Sequence, residues 1–222
     1  MSTQKHDTYH HGNLKESLIQ TALEMVHHEG VEAITLRELS TRLGTSRSAI
    51  YRHFEGKDAL MKAVILAGFD KLDAVIEPLF NPENKMPLIE RFHDMGVAYI
   101  TFATDAPNLY RLLFGPIMSQ QREEACIESH PELHQMMHGD SSEALIDRES
   151  SDGFHKLVLI IVQAQQEKIF KAGDPILIAT AIWSLLHGLA MLVIDGHLSV
   201  SNNVQAIYET NYKLLLEGLS IR

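Results

Sequence analysis

The chain has one cysteine, one tryptophan and no secretion-like segment, and these scarcities exclude several protein classes. The lone Cys126 excludes an internal disulfide framework and fits a reducing compartment. The N-terminal residues are polar and lack the apolar run of a signal peptide. The longest strongly apolar stretch, residues 181–194, is shorter than a bilayer span and contains His187. We therefore expect a cytoplasmic protein without a membrane-spanning segment or a membrane partner.

The sequence also lacks the motifs of the common enzyme classes. It contains no phosphate-binding loop, no G-x-S-x-G, no H-E-x-x-H and no cysteine with an evident histidine partner. Cys126 has only Arg122 as a basic neighbour within a helical turn, which gives little support to a redox sensor. We expect neither catalysis nor a cofactor.

Three histidines leave a metal-binding alternative open. His130, His134 and His138 follow an i, i+4, i+8 spacing, which on a helix would place three imidazoles on one side. A metal site also needs partners that orient its ligands, and none is evident, so a solvated histidine-rich face is the preferred interpretation. A metal-sensing all-α protein stays as an alternative.

What is present is a helical pattern along almost the whole chain. Apolar residues make up 45% and charged residues 22%, as in ordinary globular proteins. Thr35 with Glu38 forms a capping box, Gly30 and Gly44 are helix stops, and Asp174–Pro175 is a helix start. Residues 115–152 are poorly patterned, with a loop expected over about 139–152. The predicted helices end or begin near these breakers and cover about 14–29, 36–43, 47–53, 58–78, 88–104, 107–114, 154–171, 175–194 and 204–219. The fold class is all-α, with about nine helices.

Charge is distributed unevenly along the chain. The net charge is −10, yet residues 1–57 carry seven basic and seven acidic side chains, so residues 58–222 hold the whole excess. Within residues 35–57 five basic residues face two acidic ones. Attraction to phosphates depends on the local field, because distant charges are screened. The charge pattern therefore permits DNA binding through this segment.

Two short capped segments joined at Gly44–Ser46 indicate a helix-turn-helix, whose second helix enters the major groove of DNA. On a helical wheel Ile50 and Phe54 share one face and are expected to pack inward, while Ser48 and Arg52 point outward. Arginine is the commonest reader of guanine, so Arg47 and Arg52 are the candidate base contacts. The complete predicted DNA surface adds flanking and phosphate-binding positions and consists of Thr35, Arg37, Thr45, Ser46, Arg47, Ser48, Ala49, Tyr51, Arg52, His53 and Lys57.

The basic residues at 37, 42, 47, 52 and 57 do not form one stripe, since a five-residue step rotates about 140° around a helix. We expect Arg42 to be solvated or paired with an acidic neighbour rather than to contact DNA.

The ordered segments TLREL, LGTSRSAIYRHF and GKDAL resemble the tetracycline-repressor-like (TetR/AcrR) family, above all through Tyr51, His53, Phe54 and Lys57. The leader at residues 9–15 is similar to the start of many members, whereas Leu39–Ser40 departs from the family's usual Ile-Ala. The resemblance implies a DNA-binding domain over residues 1–57 and a ligand-binding and dimerisation domain over residues 58–222. It implies a ligand-responsive repressor; a ligand-activated or corepressor-dependent regulator is the alternative on the same fold.

The second half resembles a subgroup of that family with a Trp…His-Gly signature, here Trp183, His187 and Gly188, together with the segment PNLYRLLF at 107–114. This resemblance implies a cavity among the middle helices, a homodimer through the last two long helices and a pseudo-palindromic DNA operator. The candidate ligand-binding residues are mostly aromatic and favour a hydrophobic small-molecule effector, although each would serve equally as core; they are Phe69, Tyr99, Phe102, Phe114, Phe154, Trp183 and His187.

Overall fold

A computed structural model describes residues 14–81, 83–116, 118–129, 153–198 and 203–221. Over these ranges the protein is all-α, as predicted, and has no strand beyond a single bridge between Phe170 and Ser220. The histidines at 130, 134 and 138 and the loop expected at 139–152 lie outside the described residues. Ten α-helices follow one another within the described ranges: α1 (Leu14–Glu29), α2 (Leu36–Arg42), α3 (Arg47–Tyr51), α4 (Lys57–Ile76), α5 (Leu88–Asp105), α6 (Pro107–Phe114), α7 (Ser119–Ser129), α8 (Gly153–Gln166), α9 (Pro175–Ile194) and α10 (Val204–Leu219).

The predicted start signals act as expected. The Thr35 hydroxyl oxygen accepts from the Glu38 backbone N–H at 3.1 Å and opens α2. Asp174 accepts from the N–H groups of Ile176 and Leu177 and opens α9, with Pro175 in the first turn. Each cap satisfies a backbone donor that the helix itself cannot pair.

The helix predicted over residues 154–171 ends earlier, at Gln166. Lys168 adopts a positive φ of 58°, and the N–H groups of Ile169 and Phe170 both donate back to the Ala164 carbonyl. This turn carries Phe170 into the core, where its ring lies 5.5 Å from that of Phe92. Burial of Phe170, which helical periodicity alone does not reveal, ends the helix here.

The apolar side chains form two cores. The head core takes its buried residues from α1–α3 and from the first half of α4, and it also contains Leu109, Leu112 and Leu113 of α6. The body core lies between α5, α8, α9 and α10. Phe102 and Phe114 pack against both cores. The division at residue 57 stays a prediction, and α4 and α6 contribute to both cores.

Helix α9 is 20 residues long and apolar enough that length and composition alone would let it cross a membrane. The expectation that the apolar stretch at 181–194 is shorter than a bilayer span was therefore wrong about the length of the apolar helix. Its place in the fold comes from packing: buried residues such as Ile182, Leu186 and Leu189 face α5, α8 and α10. Leu177 and Leu192 on the same helix are exposed within this chain.

Helices α5 and α10 meet along a seam of aromatic hydroxyls. The Tyr208 hydroxyl donates to the His93 carbonyl at 2.6 Å, and the Tyr212 hydroxyl donates to the Ile89 carbonyl at 3.0 Å. Burial alone would lower the pKa of His93, but hydrogen bonds to the carboxylates of Asp94 and Glu209 raise it. Gly96 makes the close approach possible, since a Cβ there would lie 2.3 Å from the Tyr208 hydroxyl oxygen.

We predict that Gly96→Ala lowers the free energy of unfolding by about 1–3 kcal/mol, because the added methyl group displaces Tyr208 from the seam. Thermal or urea unfolding followed by circular dichroism measures the change. Gly218→Ala is the matched control, because a Cβ at that exposed helical position meets no atom within 4 Å. Equal stabilities of the two variants would contradict the close packing at Gly96.

Candidate nucleic-acid interface and ligand cavity

The head presents a helix-turn-helix. After α2 the chain turns through Gly44, which has a φ of 59°, and the Ser46 hydroxyl oxygen caps α3 by accepting from the Ala49 N–H at 3.2 Å. Ile50 is fully buried and Phe54 is 5% exposed, so both pack inward as the wheel predicted. Lys15 of α1 lies over the Phe54 ring, 5.8 Å from its centroid. These contacts fix the orientation of α3 on the head.

The opposite face of α3 is polar and open to solvent. Arg47, Ser48, Tyr51 and Arg52 are exposed, with 56% of Tyr51 accessible. The remaining predicted DNA-contacting positions also lie at the surface, with Thr45 half-buried; they are Thr35, Arg37, Thr45, Ser46, His53 and Lys57. Across the part of the chain that the structure describes, Arg47, Arg52 and Lys57 enter no ion pair.

Two residues of the head, Ala49 and Ser40, are buried. Ala49 was expected on the flank that faces DNA, but only 5% of it is exposed. Its methyl group packs into the head, because α3 is only five residues long and its inward face includes this position. Ser40, where the sequence departs from the family pattern, is buried and donates to the Arg37 carbonyl at 2.7 Å. The departure is therefore accommodated by a local hydrogen bond.

Arg42 is paired, as expected. Its guanidinium donates to both carboxylate oxygens of Glu29 at 2.7 and 2.9 Å and to Glu38 at 2.8 Å. The hydrogen bond from Arg42 lowers the pKa of Glu29. This fork joins α1 to α2, so Arg42 braces the head.

A cavity of about 490 Å³ opens in the body, and residues of all helices from α4 to α10 line it. Its walls are mainly apolar and aromatic, with Asp73, Ser119, Arg122 and Glu123 as polar groups on one side. The Arg122 guanidinium also donates to the Gly115 carbonyl. A cavity of this size and character suits a small hydrophobic molecule.

Most of the predicted ligand-contacting residues line this cavity; they are Phe69, Tyr99, Phe114, Phe154, Trp183 and His187. Phe102 does not line it, because its side chain packs between the head core and the body core. Trp183 and His187 share one face of α9, and their ring centroids lie 5.9 Å apart.

A series of hydrogen bonds connects residues at the cavity wall. The Trp183 indole N–H donates to the Tyr99 hydroxyl at 3.0 Å, the hydroxyls of Tyr99 and Tyr110 lie 2.7 Å apart, and the Tyr110 hydroxyl lies 2.7 Å from His187 Nδ1. This series of hydrogen bonds begins at Trp183 on α9, passes through Tyr99 on α5 and Tyr110 on α6, and ends at His187 on α9. We call these four residues the polar relay.

The relay is uncharged at neutral pH. Burial raises the pKa of Tyr99 to about 12, and its hydrogen bonds with Tyr110 and Trp183 offset only part of this effect. Burial likewise raises the pKa of Tyr110, while it lowers the pKa of His187. All three groups are therefore neutral, and hydrogen bonding alone orders them.

Sequence reasoning missed several residues of this site. Tyr110 lies inside the segment that drew attention as a family motif, but its hydrogen bonds depend on two other helices. Phe92, Tyr208 and Tyr212 also line the cavity. The i, i+4 spacing of Tyr208 and Tyr212 was a usable signal, whereas nothing local places Phe92 against them.

No group of three or more histidine, cysteine, aspartate or glutamate side chains in the described ranges could hold a metal ion. This leaves the histidines at 130, 134 and 138 untested, because they lie outside those ranges.

The chain matches two described protein families. Residues 18–64 match the bacterial regulatory proteins of the tetR family, and residues 92–215 match the tetracyclin repressor-like C-terminal domain. The second match covers more than half of the chain. The Trp…His-Gly subgroup stays a prediction.

Individual proteins agree with this assignment. The class C tetracycline repressor of Escherichia coli is 44% identical over 50 residues, which span 22% of this chain and 23% of the repressor. The nucleoid occlusion factor SlmA of Idiomarina loihiensis is 24% identical over 187 residues, covering 84% of this chain and 82% of SlmA. A solved protein of unknown function from Rhodococcus sp. RHA1 has the same fold, with a TM-score of 0.73, 24% identity and coverage of 97% and 100% of the two chains.

The head with its exposed α3, the mainly apolar cavity of the body and the two family matches support the same assignment. The chain belongs to the TetR family of bacterial regulatory proteins, whose members are DNA-binding transcription regulators.

Proposed function

We propose that this protein is a homodimeric transcriptional repressor that leaves a pseudo-palindromic operator when a hydrophobic small molecule occupies its cavity. The observation that carries the proposal is that α4 and α6 each contribute residues to the core of the DNA-binding head and to the cavity wall. Leu60 and Ile65 of α4 lie in the head core, while Phe69 and Ile76 of the same helix line the cavity. A regulator of this kind works in the cytoplasm by binding, without catalysis and without a membrane partner.

The DNA contacts divide by role. Arg47, Ser48 and Arg52 lie on the exposed face of α3 and are proposed to read base edges. Tyr51, His53 and Lys57, with Thr35, Arg37, Thr45 and Ser46, are proposed to hold phosphates and so to set the register of the head. Ala49 is left out of this set because it is buried.

A stripe on α9 supports the dimer. Leu177, Ala181, Ser184, Gly188 and Leu192 recur along one face of this helix. Leu177 is 68% and Leu192 is 45% exposed, and a Cβ at Gly188 would meet no atom within 4 Å. Small residues between two leucines allow a second helix to approach closely. A two-fold axis along this stripe would set two α3 helices about 34–36 Å apart, on successive major grooves.

Release from DNA requires that the effector bind the non-binding conformation more tightly than the DNA-binding one. We propose that the effector, packed against Phe69 and Ile76, shifts α4 and thereby changes the separation of the two heads. A regulator that gains DNA affinity with ligand is the alternative on the same fold, and the sign of the change in operator affinity at saturating ligand decides between the two.

A metal-sensing protein without a DNA partner is the other alternative. It would show bound metal in the purified full chain, and His134→Ala would lose it. Absence of metal in the wild type would remove this alternative.

We predict that two substitutions in the head have different effects on DNA binding. Arg47→Ala should weaken binding to operator DNA by about 1–3 kcal/mol while leaving unrelated duplexes unaffected, because the change removes a base contact. Lys57→Ala should weaken binding to both and lower the salt slope of log K by about 0.9, because it removes one phosphate contact. Fluorescence anisotropy over a salt series measures both, with duplexes that tile the promoter region of the protein's own gene.

Lys71→Ala is the control for these variants, because it removes an exposed positive charge of α4 that is not part of the proposed DNA surface. It should change neither the salt slope nor the preference for operator DNA. Unchanged binding in both Arg47→Ala and Lys57→Ala, or an equal loss in Lys71→Ala, would contradict the proposed DNA surface.

We predict that Ser184→Asp converts the protein from a dimer into a monomer, because it places two carboxylates next to each other at the centre of the interface. Light scattering during gel filtration should show a fall from twice the chain mass to 25.0 kDa. Val75→Asp, at a position 43% exposed on α4, is the control that should stay dimeric. A monomeric wild type, or a dimeric Ser184→Asp variant, would contradict the proposed interface.

A further inference from the structure

The polar relay has one end that can act only as a donor. The Trp183 indole carries an N–H and no acceptor, so the Tyr99 hydroxyl oxygen must accept this bond. The Tyr99 hydroxyl then still needs an acceptor for its own proton. Tyr99 is 7% exposed and Tyr110 is fully buried, so water is not a ready partner for either hydroxyl. The protons therefore have to be ordered within the relay.

Three orders are possible beyond Tyr99. In the first, Tyr99 donates to Tyr110, and Tyr110 donates to an unprotonated His187 Nδ1. In the other two, a protonated Nδ1 donates to Tyr110, and either Tyr110 donates to Tyr99 or Tyr99 donates to Tyr110. Each of these two leaves one hydroxyl proton, on Tyr99 or on Tyr110, without an acceptor among the described residues. A buried donor without a partner is costly, so the first order is favoured.

The first order fixes the tautomer of His187. With Nδ1 accepting from Tyr110, the proton of the neutral ring must sit on Nε2. Burial lowers the pKa of His187, which agrees with a neutral ring.

His187 belongs both to the relay and to the cavity wall. Tyr110, which holds Nδ1, is fully buried and is not part of the cavity wall, whereas the His187 ring lines the cavity. The ring edge that carries Nε2 is therefore the one available to a ligand. Around it the wall is aromatic, with the Phe114 and Trp183 ring centroids 5.6 and 5.9 Å from that of His187. The Nε2–H group is therefore a donor with aromatic neighbours, and the other polar side chains of the wall include Asp73, Ser119, Arg122 and Glu123.

We propose that Tyr99 and Tyr110 hold His187 in the Nε2–H tautomer, and that the effector is an apolar molecule with a hydrogen-bond acceptor, such as a carbonyl oxygen, that receives this proton. The proposal rests on the proposed function of the cavity as the effector site. It makes Tyr110 a positioning residue, which acts on the ligand only through His187. It also implies discrimination against ligands whose only polar group is a donor, because two donors cannot satisfy each other.

The tautomer can be measured without any ligand. Two-dimensional ¹⁵N–¹H NMR of the full chain with ¹⁵N-labelled histidine distinguishes the two neutral tautomers, and His187→Gln identifies the signals. The wild type should show the Nε2–H pattern, and Tyr110→Phe should move His187 toward a mixture. Tyr212→Phe is the control, because it removes a hydroxyl of the cavity wall that donates to the Ile89 carbonyl and lies outside the relay. An Nδ1–H pattern in the wild type would overturn the proposal.

The ligand class is tested with three molecules that share one skeleton: butyrophenone, butylbenzene and 1-phenylbutylamine. Calorimetry should show that the wild type binds the ketone about three- to tenfold more tightly than the hydrocarbon, and the ammonium compound most weakly. The ratio of ketone to hydrocarbon affinity should fall toward one in Tyr110→Phe and stay at the wild-type value in Thr104→Val, which removes a hydroxyl outside the cavity wall that donates to the Ile100 carbonyl. Melting temperatures of both variants check that they are folded.

The outcomes separate this proposal from the one on which it rests. Equal affinity of the wild type for the ketone and the hydrocarbon, or an unchanged ratio in folded Tyr110→Phe, would overturn the ligand class. If none of the three compounds binds, the cavity is not an effector site for molecules of this kind, and the proposed function loses its support. The NMR measurement decides the tautomer in either case.

Discussion

The structure depends on the burial of one short helix, α6, between the two cores. Leu109, Leu112 and Leu113 of this helix complete the head core, while Tyr110 is fully buried and bonded to Tyr99 and His187 in the cavity wall. The Asn108 side chain also donates to the carbonyl of His27 at the end of α1. An eight-residue helix moves as one body, so a shift at Tyr110 is a shift at the head.

The same constraint explains why a modest event in the cavity can matter at the DNA. Arg111 of α6 donates to the Ile194 carbonyl at 2.6 Å and so attaches the helix to the end of α9, which carries Trp183 and His187. Helix α4 packs beside α6 and approaches it closely at Gly68, where a Cβ would lie 2.9 Å from the Leu113 Cδ2 atom. Close packing of this kind transmits displacement instead of absorbing it. The effector needs only to favour one of two packings by a few kcal/mol.

Much of this architecture could be predicted from the sequence. Caps, glycine stops and apolar periodicity are local signals, so they located most helices, and the wheel of α3 assigned Ile50 and Phe54 to the interior. Ala49 was placed on the flank of α3 by the wheel, but it is buried in the folded head. The early end of α8 at Gln166, the relay through Tyr110 and the position of Phe102 between the cores depend on contacts between distant helices. No local pattern encodes those contacts.

The central claim is that the cavity and the DNA-binding face are coupled, and Trp183 offers a direct test because it is the only tryptophan of the chain and lies in the cavity wall. Its fluorescence, excited at a wavelength that DNA does not absorb, can be followed while operator DNA is added and anisotropy reports binding. Coupling predicts that the emission of Trp183 changes in parallel with occupancy of the head by operator. Complete binding with an unchanged Trp183 emission would contradict it.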